Sequence, residues 1–515
     1  MDIMAKIKRR ASWNAIALGL IAVCVGAAAQ TSGGTSSPGT RTAGGSSSSS
    51  SDLNTAIGAQ TQLAMPGPAV NPSSSTSAGG IDPSYKGSIV SGKATDGVLP
   101  LSLDDAMQRG LRTNLGLVLQ SSNERSANGQ RLVQLQQLLP TVTASASIEV
   151  EQVDLAAFGL KFPGINPIVG PFQVEDFRAY LTQNLINLQA FQQYLAAKHN
   201  FNAAKLTAQD ARDLVVLTVG NAYLLCVADQ ARIAAVQAEL DSSKLSFDQA
   251  TDAHQAGTSP RLDVLRAQVD YQSEQQSLIA AVNQLAKDKL ALARTIGLPL
   301  DQKFSLTDTT PFQALDTPDP QTAFAQALKQ RKDLAAAIET TKGAEATQKA
   351  AVDEQLPVLS VNGNFGDLGT TVAHSHGTYA ATGEISAPVL QITKTHGDKE
   401  VASAQLDQAR AKLSDQVQQV NADVRDAILD IMTAAKLVEA TRSNVELARE
   451  ALSEAQQRFK AGVDESLPVS QALATDRQAE DQYIAALYQH NVAKLSLARA
   501  LGVASTNYKD YLGGK

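Results

Sequence analysis

The chain has 515 residues, of which 43% are hydrophobic and 18% are charged, and its formal net charge is −7. A protein that binds nucleic acid needs a basic surface for the phosphates, so this charge excludes nucleic acid as a partner. Aromatic residues make up 4% of the chain, which is low for a large globular enzyme with a thick core. The length and composition therefore favour several domains or one elongated protein.

The first 29 residues predict a secretory signal peptide. A basic run over 6–10 precedes the apolar stretch 15–25, and the small residues of 27–30 form a cleavage site. No later stretch is expected to cross a membrane as a helix, so the exported protein is either free outside the cytoplasm or an outer-membrane β-barrel. Cys24 follows a loose lipobox in which Val23 has the wrong size, so lipidation is the less favoured alternative.

Residues 30–98 are rich in Ser, Gly, Thr, Pro and Ala, and Tyr85 is their only aromatic residue. Such a segment buries too little apolar surface to offset the entropy that ordering costs. We therefore predict a disordered low-complexity linker and expect the function to lie after it.

The rest of the chain carries an internal repeat. Ala256-Gly257 recurs 205 residues later as Ala461-Gly462, whereas Leu139-Pro140 recurs 217 residues later as Leu356-Pro357. The first copy is therefore 12 residues longer than the second. The Gly/Pro-rich stretch 158–171 is the expected place of these extra residues, because loops tolerate insertions.

Two stretches of alternating apolar and polar residues follow each Leu-Pro pair. The apolar positions are Val142, Ala144, Ala146, Ile148 and Val150, then Phe177, Ala179 and Leu181, and in copy two Leu359, Val361, Gly363 and Phe365, then Tyr379, Ala381, Gly383 and Ile385. A period of two predicts strands. Each run is close to the ~9–11 residues that a tilted strand needs to cross an outer membrane.

Residues 398–461 contain neither Gly nor Pro, so they can form one helix of ~96 Å. Within this run, residues that are apolar except for one Thr recur in steps of four and three, which is the pattern of a coiled-coil seam. The seam positions are Leu413, Val417, Val420, Val424, Ala427, Ile431, Ala434, Val438, Thr441, Val445, Ala448, Leu452, Ala455 and Phe459. Copy one keeps a similar seam, with Asp229 as an exception. Its members are Val219, Ala222, Cys226, Ile233, Val236, Leu240, Phe247 and Ala250.

Returning helices are expected over 261–296 and 469–501. Gly257 and Gly462 suit the two reversals, because glycine tolerates a positive φ. Each copy thus gives two strands and a long antiparallel helical hairpin.

Four strands per chain cannot close a barrel, and open strand edges are not tolerated in lipid. The pattern therefore predicts an oligomer whose copies complete one another's sheet. The apolar residues would face outer-membrane lipid, and the Thr, Ser, Asn and Glu set would face a wet lumen. The helices would continue the tube into the periplasm.

Residues from about 99 to 502 resemble the TolC family of outer-membrane efflux proteins. The resemblance rests on Leu101–Ala106 at the start of the first helix, the Leu-Pro before each first strand, the run 256–267, and Ala-Arg-x-x-Gly at the end of each copy. It implies a mainly α-helical chain with a pair of transmembrane β-hairpins. Three chains would form a homotrimer, with a 12-stranded β-barrel continued by a long α-helical barrel.

The same resemblance implies a passive exit duct in the cell outer membrane, for small molecules or proteins. Its partners would be a periplasmic adaptor protein and an inner-membrane pump, in a tripartite efflux or type I secretion system. The reversals would form the periplasmic tip, which meets the adaptor and constricts the pore.

The resemblance assigns six residues to the tip: Gly257, Arg261, Asp263, Gly462, Asp464 and Glu465. Copy two departs from the family pattern, because Pro468 stands where copy one has Asp263. Arg261 and Asp263 could instead cap and solvate a helix start, and Asp464 with Glu465 could be a solvated turn.

The sequence thus divides into ten predicted segments. They are the signal peptide 1–29, the linker 30–98, the first helices of repeat 1 at 99–138, β-hairpin 1 at 139–185, helical hairpin 1 at 186–297, an equatorial connector 298–319, the first helices of repeat 2 at 320–355, β-hairpin 2 at 356–391, helical hairpin 2 at 392–502, and a C-terminal tail 503–515.

Other functions have weaker support in the sequence. His374, His376 and His396 lack spaced Cys or carboxylate partners that would form a known metal signature, and Cys226 has no activating His beside it, so a packed thiol is favoured. We therefore expect no enzyme activity, catalytic residue, cofactor or metal. The alternative is a periplasmic coiled-coil scaffold or adaptor without a membrane barrel. A metal-dependent hydrolase would need the His374 region to bind metal.

Overall fold

The computed structural model describes residues 82–160, 163–164, 166–308, 312–461, 463–464 and 466–512. The predicted signal peptide and residues 30–81 of the predicted linker lie outside these described residues. Gly462 and Glu465, two of the predicted tip residues, lie outside them as well.

Two copies of one structural unit follow each other in the described part of the chain. In each copy two shorter helices lead to a pair of long strands, and the strands lead to a very long helix and a returning helix. The first copy contains β1 Leu99–Leu101, α1 Leu103–Thr113, α2 Leu115–Gln136, β2 Thr141–Asp154, β3 Ile168–Ile186, α3 Leu188–Gln255 and α4 Arg261–Ile296. The second contains β4 Phe304–Leu306, α5 Pro320–Gln330, α6 Lys332–Asp353, β5 Val358–Gly369, β6 Ser375–Ser386, α7 Ile392–Lys460, α8 Ser466–Ala500 and α9 Ala504–Leu512.

The four long strands form one antiparallel sheet in the order β2-β3-β5-β6. Strands β3 and β5 join the two copies, with Tyr180 opposite Asn364, and β2 and β6 are the edges. The extra residues of copy one are shared between the loop and longer strands, because β2 and β3 have 14 and 19 residues against 12 each in β5 and β6. The prediction that they all lie in a loop over 158–171 was therefore only partly right, since β3 begins at Ile168.

The long helices α3 and α7 have 68 and 69 residues, which corresponds to about 100 Å each. On α7 the predicted seam is buried from Val420 to Leu452. Its one polar member, Thr441, donates its hydroxyl to the carbonyl of Leu437 at 2.8 Å, so the seam tolerates it without an unpaired buried donor.

A hydrophobic core lies where α3 and α4 meet α1, α8, α9 and the small parallel sheet of β1 and β4. Two glycines let helices approach closely there. A Cβ on Gly110 would lie 2.6 Å from a methyl carbon of Val219, and one on Gly220 would lie 2.8 Å from the methyl carbon of Met107. This core fixes the base from which both helical hairpins extend.

Helix α3 corrects one expectation from the sequence. By length and composition, this helix contains a stretch that could span a membrane. The sequence analysis expected no such stretch after the signal peptide. Part of this apolar stretch is buried in the protein, and Val215, Val216, Val219 and Tyr223 of this helix are fully buried in the hydrophobic core. Packing in this core accounts for its apolar residues.

Residues 82–98 correct the predicted linker, which was expected to be disordered through residue 98. Tyr85 is buried, and its carbonyl accepts a hydrogen bond of 2.6 Å from the Asn114 side chain. The Ile89 amide donates to the Thr113 carbonyl at 2.8 Å. The segment is ordered because its single aromatic ring fits the surface beside Gly116, where a Cβ would collide with that ring.

The predicted C-terminal tail contains helix α9, which packs on the same core. The buried carboxylate of Asp213 accepts a hydrogen bond of 2.7 Å from the Ser505 amide in the first turn of α9. Tyr508 is buried and donates its hydroxyl to Asp104 in α1. The end of the chain thus contacts the first helix of copy one.

Candidate functional site

The first predicted tip turn, 256–260, reverses the chain between α3 and α4. Gly257 has φ +76°, in the left-handed region that favours glycine. The Thr258 amide donates to the Ala253 carbonyl at 2.9 Å, and the Gly257 amide donates to the His254 carbonyl at 3.0 Å. This pair of bonds is a Schellman motif, so Gly257 stands where the reversal needs it.

The second turn, 461–465, is described only in part. Asp464 forms an ion pair of 2.6 Å with Arg458 in the last turn of α7. Helix α8 begins at Ser466, three residues before the predicted Val469, and Pro468 lies in its first turn, where a missing amide proton costs little. The described partner of Asp464 thus belongs to the same helical hairpin and not to the other one.

Asp263 connects the two turns. The residue is 3% exposed, and one carboxylate oxygen accepts a hydrogen bond of 2.7 Å from the Ser466 hydroxyl of the other hairpin. The second oxygen accepts one of 2.7 Å from the Ser259 hydroxyl. Burial alone would raise the pKa of Asp263, but the hydrogen bonds from Ser466 and Ser259 outweigh it and lower the pKa below its usual range.

Arg261 takes no part in the contact between Asp263 and Ser466. It is the first residue of α4 and is exposed. Beside it the tip presents apolar side chains that the sequence analysis did not single out. They are Leu262, Leu265, Val463 and Leu467, which are 44–68% exposed. The sequence did contain a signal for these residues. Leu262 and Leu265 lie beside one turn, and Val463 and Leu467 lie at the other, among residues that are mostly charged or small.

Further contacts join α4 and α8 above the tip. Ser470 donates its hydroxyl to Asp270, and Arg477 forms an ion pair of 3.2 Å with Glu274. The positions on α4 advance by seven and four residues, and those on α8 by four and seven, so both rows follow a coiled-coil spacing. The two helical hairpins are therefore joined side by side by polar contacts.

The sheet has one apolar and one polar face. Val142 lies opposite Leu181, and Phe365 lies opposite Tyr379, on a face whose large side chains are exposed. The other face carries Arg178, which donates hydrogen bonds to Asp176, Asn364 and Thr378 at 3.1, 3.0 and 3.3 Å. Cross-strand neighbours share a face, so this separation extends across all four strands.

The alternative sites find little support in the described residues. His374 hydrogen-bonds to Thr371 at 2.9 Å, and none of the groups of His, Cys, Asp and Glu in that part of the chain is arranged to hold a metal ion. Cys226 is fully buried, and burial, together with Asp229, raises its pKa to about 12. Such a thiol stays protonated and is a poor nucleophile.

Comparison with known proteins places the chain among outer-membrane channels. The sequence model of the family described as Outer membrane efflux protein matches residues 110–298 and 323–503. The pyoverdine export outer membrane protein OpmQ of Pseudomonas putida is 25% identical over 312 residues, which are 60% of this chain and 66% of OpmQ. The match thus spans just under two thirds of OpmQ. The toluene efflux pump outer membrane protein TtgC of Pseudomonas putida is 23% identical over 415 residues, 78% of this chain and 83% of TtgC.

A solved structure shows the same fold. The outer membrane protein VceC of Vibrio cholerae aligns with a TM-score of 0.69 at 18% identity, over 78% of this chain and 96% of VceC.

Proposed function

Because this chain belongs to the outer membrane efflux protein family, we propose that three copies form one passive duct through which solutes leave the periplasm. The protein itself is an outer-membrane efflux channel, in line with its family and with relatives such as TtgC. The trimer, the 12-stranded barrel and the roles of individual tip residues are our proposals. We propose that the duct performs no chemistry.

The four-stranded sheet with two open edges carries this proposal. Strands β2 and β6 end the sheet, and the exposed residues Val142, Ile148 and Ile385 place apolar side chains on these same strands. In lipid, unpaired amide and carbonyl groups at such edges are too costly to persist. Other copies of the chain must pair with them, and three copies of four strands make the twelve that the family resemblance implies.

The helices below the sheet also leave apolar side chains uncovered in a single chain. On α4 these are Leu262, Leu265, Val269, Ile279 and Val282, and on α7 they are Leu429, Met432, Leu437 and Leu447. Long apolar stripes of this kind mark contact surfaces. Neighbouring copies in a closed ring of helices would cover them.

We propose that the tip contacts a periplasmic adaptor through its exposed apolar residues and Arg261, and that the Asp263–Ser466 bond keeps the two turns together when the duct is closed. The adaptor would link the duct to an inner-membrane pump. Relatives are named for cargoes as different as pyoverdine and toluene. Such variety fits a passive duct for which the inner-membrane pump selects the cargo.

Imaging of detergent-extracted protein tests the proposal. We expect negatively stained particles from outer-membrane fractions to be cylinders longer than ~100 Å, as helices of this length require, with threefold end views. Soluble monomeric rods that need no detergent would contradict the barrel and would favour a scaffold protein instead.

A further inference from the structure

A group of buried carboxyl side chains lies where α3, α4 and α8 pack together. Glu239 and Glu274 are each 5% exposed, and Asp476 is 8% exposed. They lie 10–16 residues from the helix ends at the tip, or roughly 15–24 Å above it. They are buried within one chain, so assembly with other copies can only bury them further.

Acidic groups outnumber basic groups around this position. The charged residues that face it are Glu239 and Arg232 on α3, Asp270 and Glu274 on α4, Arg449 on α7, and Asp476, Arg477, Glu480 and Asp481 on α8. Each arginine is already paired with a carboxylate. The pairs are Arg232 with Asp481 at 2.8 Å, Arg477 with Glu274 at 3.2 Å, and Arg449 with Glu480.

Glu239 itself forms no ion pair within the described residues, and Arg477, whose charge lowers its pKa, is paired with Glu274. Among the residues that the structure describes, neither of its carboxylate oxygens has a hydrogen-bond partner, and one oxygen each of Glu274 and Asp476 also lacks one. Ionised carboxylates only accept hydrogen bonds, so two of them in contact cannot satisfy each other. A proton on one of them turns it into a donor and removes the repulsion.

We propose that Glu239, Glu274 and Asp476 form a proton-dependent joint between the two helical hairpins. With a proton on Glu239, α3 and α4 pack against α8. When the proton leaves, an unpaired charge is buried in the joint and the hairpins separate more readily. This inference concerns hairpin packing, so its failure would leave the proposed channel function intact.

The direction and size of the pH effect follow from the surroundings of Glu239. Burial, the Glu274 charge and the Asp476 charge raise its pKa from 4.5 to about 8. A raised carboxyl pKa means that the packed state is favoured at low pH, and that this advantage is lost as the pH rises through the window from 4.5 to about 8. For one proton, opening of the joint should become roughly 50-fold easier between pH 6 and pH 8.

Hydrogen exchange of the full-length protein in detergent measures this opening. The peptides 232–246, 267–281 and 469–483 should lose roughly 50-fold protection between pH 6 and pH 8, after correction for the intrinsic exchange rate. Peptides of α6 give the reference, because α6 lies outside the joint. In Glu239→Gln, an uncharged side chain of the same shape, protection should change less than about threefold over this range.

Two further variants make the test specific. Glu450→Gln removes an exposed carboxylate from α7 and should behave as the wild type does. Asp476→Asn lowers the repulsion on Glu239 and should give an intermediate loss of protection between pH 6 and pH 8. If Glu239→Gln does not assemble, Asp476→Asn serves as the test variant in its place. Wild-type protection that is flat with pH, or a Glu239→Gln variant that keeps the full loss, would overturn the joint.

Discussion

Ser259 and Ser466 each donate a hydrogen bond of 2.7 Å to Asp263, but only Ser466 belongs to the other hairpin. This symmetry around one carboxylate allows a matched pair of substitutions. Ser466→Ala removes the bond between the hairpins, whereas Ser259→Ala removes a bond within one turn. Both changes delete the same hydroxyl from the same buried acceptor.

The expected magnitude follows from the type of bond. A hydrogen bond to a charged acceptor contributes about 1.5–3 kcal/mol net, and each 1.4 kcal/mol changes an equilibrium tenfold. Ser466→Ala should therefore favour separated turns by roughly 10- to 150-fold. Ser259→Ala should destabilise its own turn and leave the equilibrium between the hairpins nearly unchanged.

Single-channel recordings in planar lipid bilayers provide the assay. If the two turns must separate for the duct to open, Ser466→Ala should raise the open probability or the mean conductance at neutral pH, and Ser259→Ala should match the wild type. Equal effects of both substitutions, or no effect of either, would refute the reasoning that the Asp263–Ser466 bond holds the tip closed.

Three other substitutions have defined outcomes. Gly257→Val forces a β-branched residue to adopt φ +76°, at a cost of more than about 1–2 kcal/mol. Export of a fluorescent efflux substrate should therefore fall, while trimers still form on native gels. Gly257→Asn should retain more export than Gly257→Val. Replacing both His374 and His376 with Ala should leave export unchanged in the same assay, and a loss of export would point to a metal site there. Tyr508→Phe removes a hydrogen bond to the charged acceptor Asp104 and should cost about 1.5–3 kcal/mol, seen as a melting temperature a few degrees lower by circular dichroism, with export retained.

Periodic features of this chain were predictable from sequence, because local repetition shows them directly. The steps of four and three on α7 predicted the positions that are buried from Val420 to Leu452. The sequence did not predict that Tyr85 orders residues 82–98, because composition alone ignores a single ring that finds a matching surface at Gly116. Helix α9 was missed for a similar reason, since its stability depends on Asp213 and Asp104, which are far away in the chain.

Contacts between the repeats were also beyond the reach of sequence patterns. In copy one the predicted seam includes Leu240, yet Glu239 is the more buried of the two, because α8 packs on α3 as well as on α7. The partner of Asp263 is 203 residues away, and only the docking of one hairpin on the other brings Ser466 to it. A periodic pattern locates the face of a helix, but it does not tell which helix covers that face.

Two of the acidic contacts between the hairpins, those of Asp263 and Glu239, depend on pH in opposite directions. Burial opposes the shift, but the hydrogen bonds of Asp263 lower its pKa from 3.8. The stabilisation of hairpin packing by Asp263 is therefore present above pH 3.8 and is lost as the pH falls through the lowered pKa. The pKa of Glu239 is raised to about 8, so its contribution is lost as the pH rises. Between pH 4 and pH 6 both contacts hold the hairpins together, whereas above pH 8 the tip contact still does so and the Glu239 contact does not. Ser466→Ala should therefore release the hairpins most completely in alkaline conditions, and adding Glu239→Gln should remove that extra release.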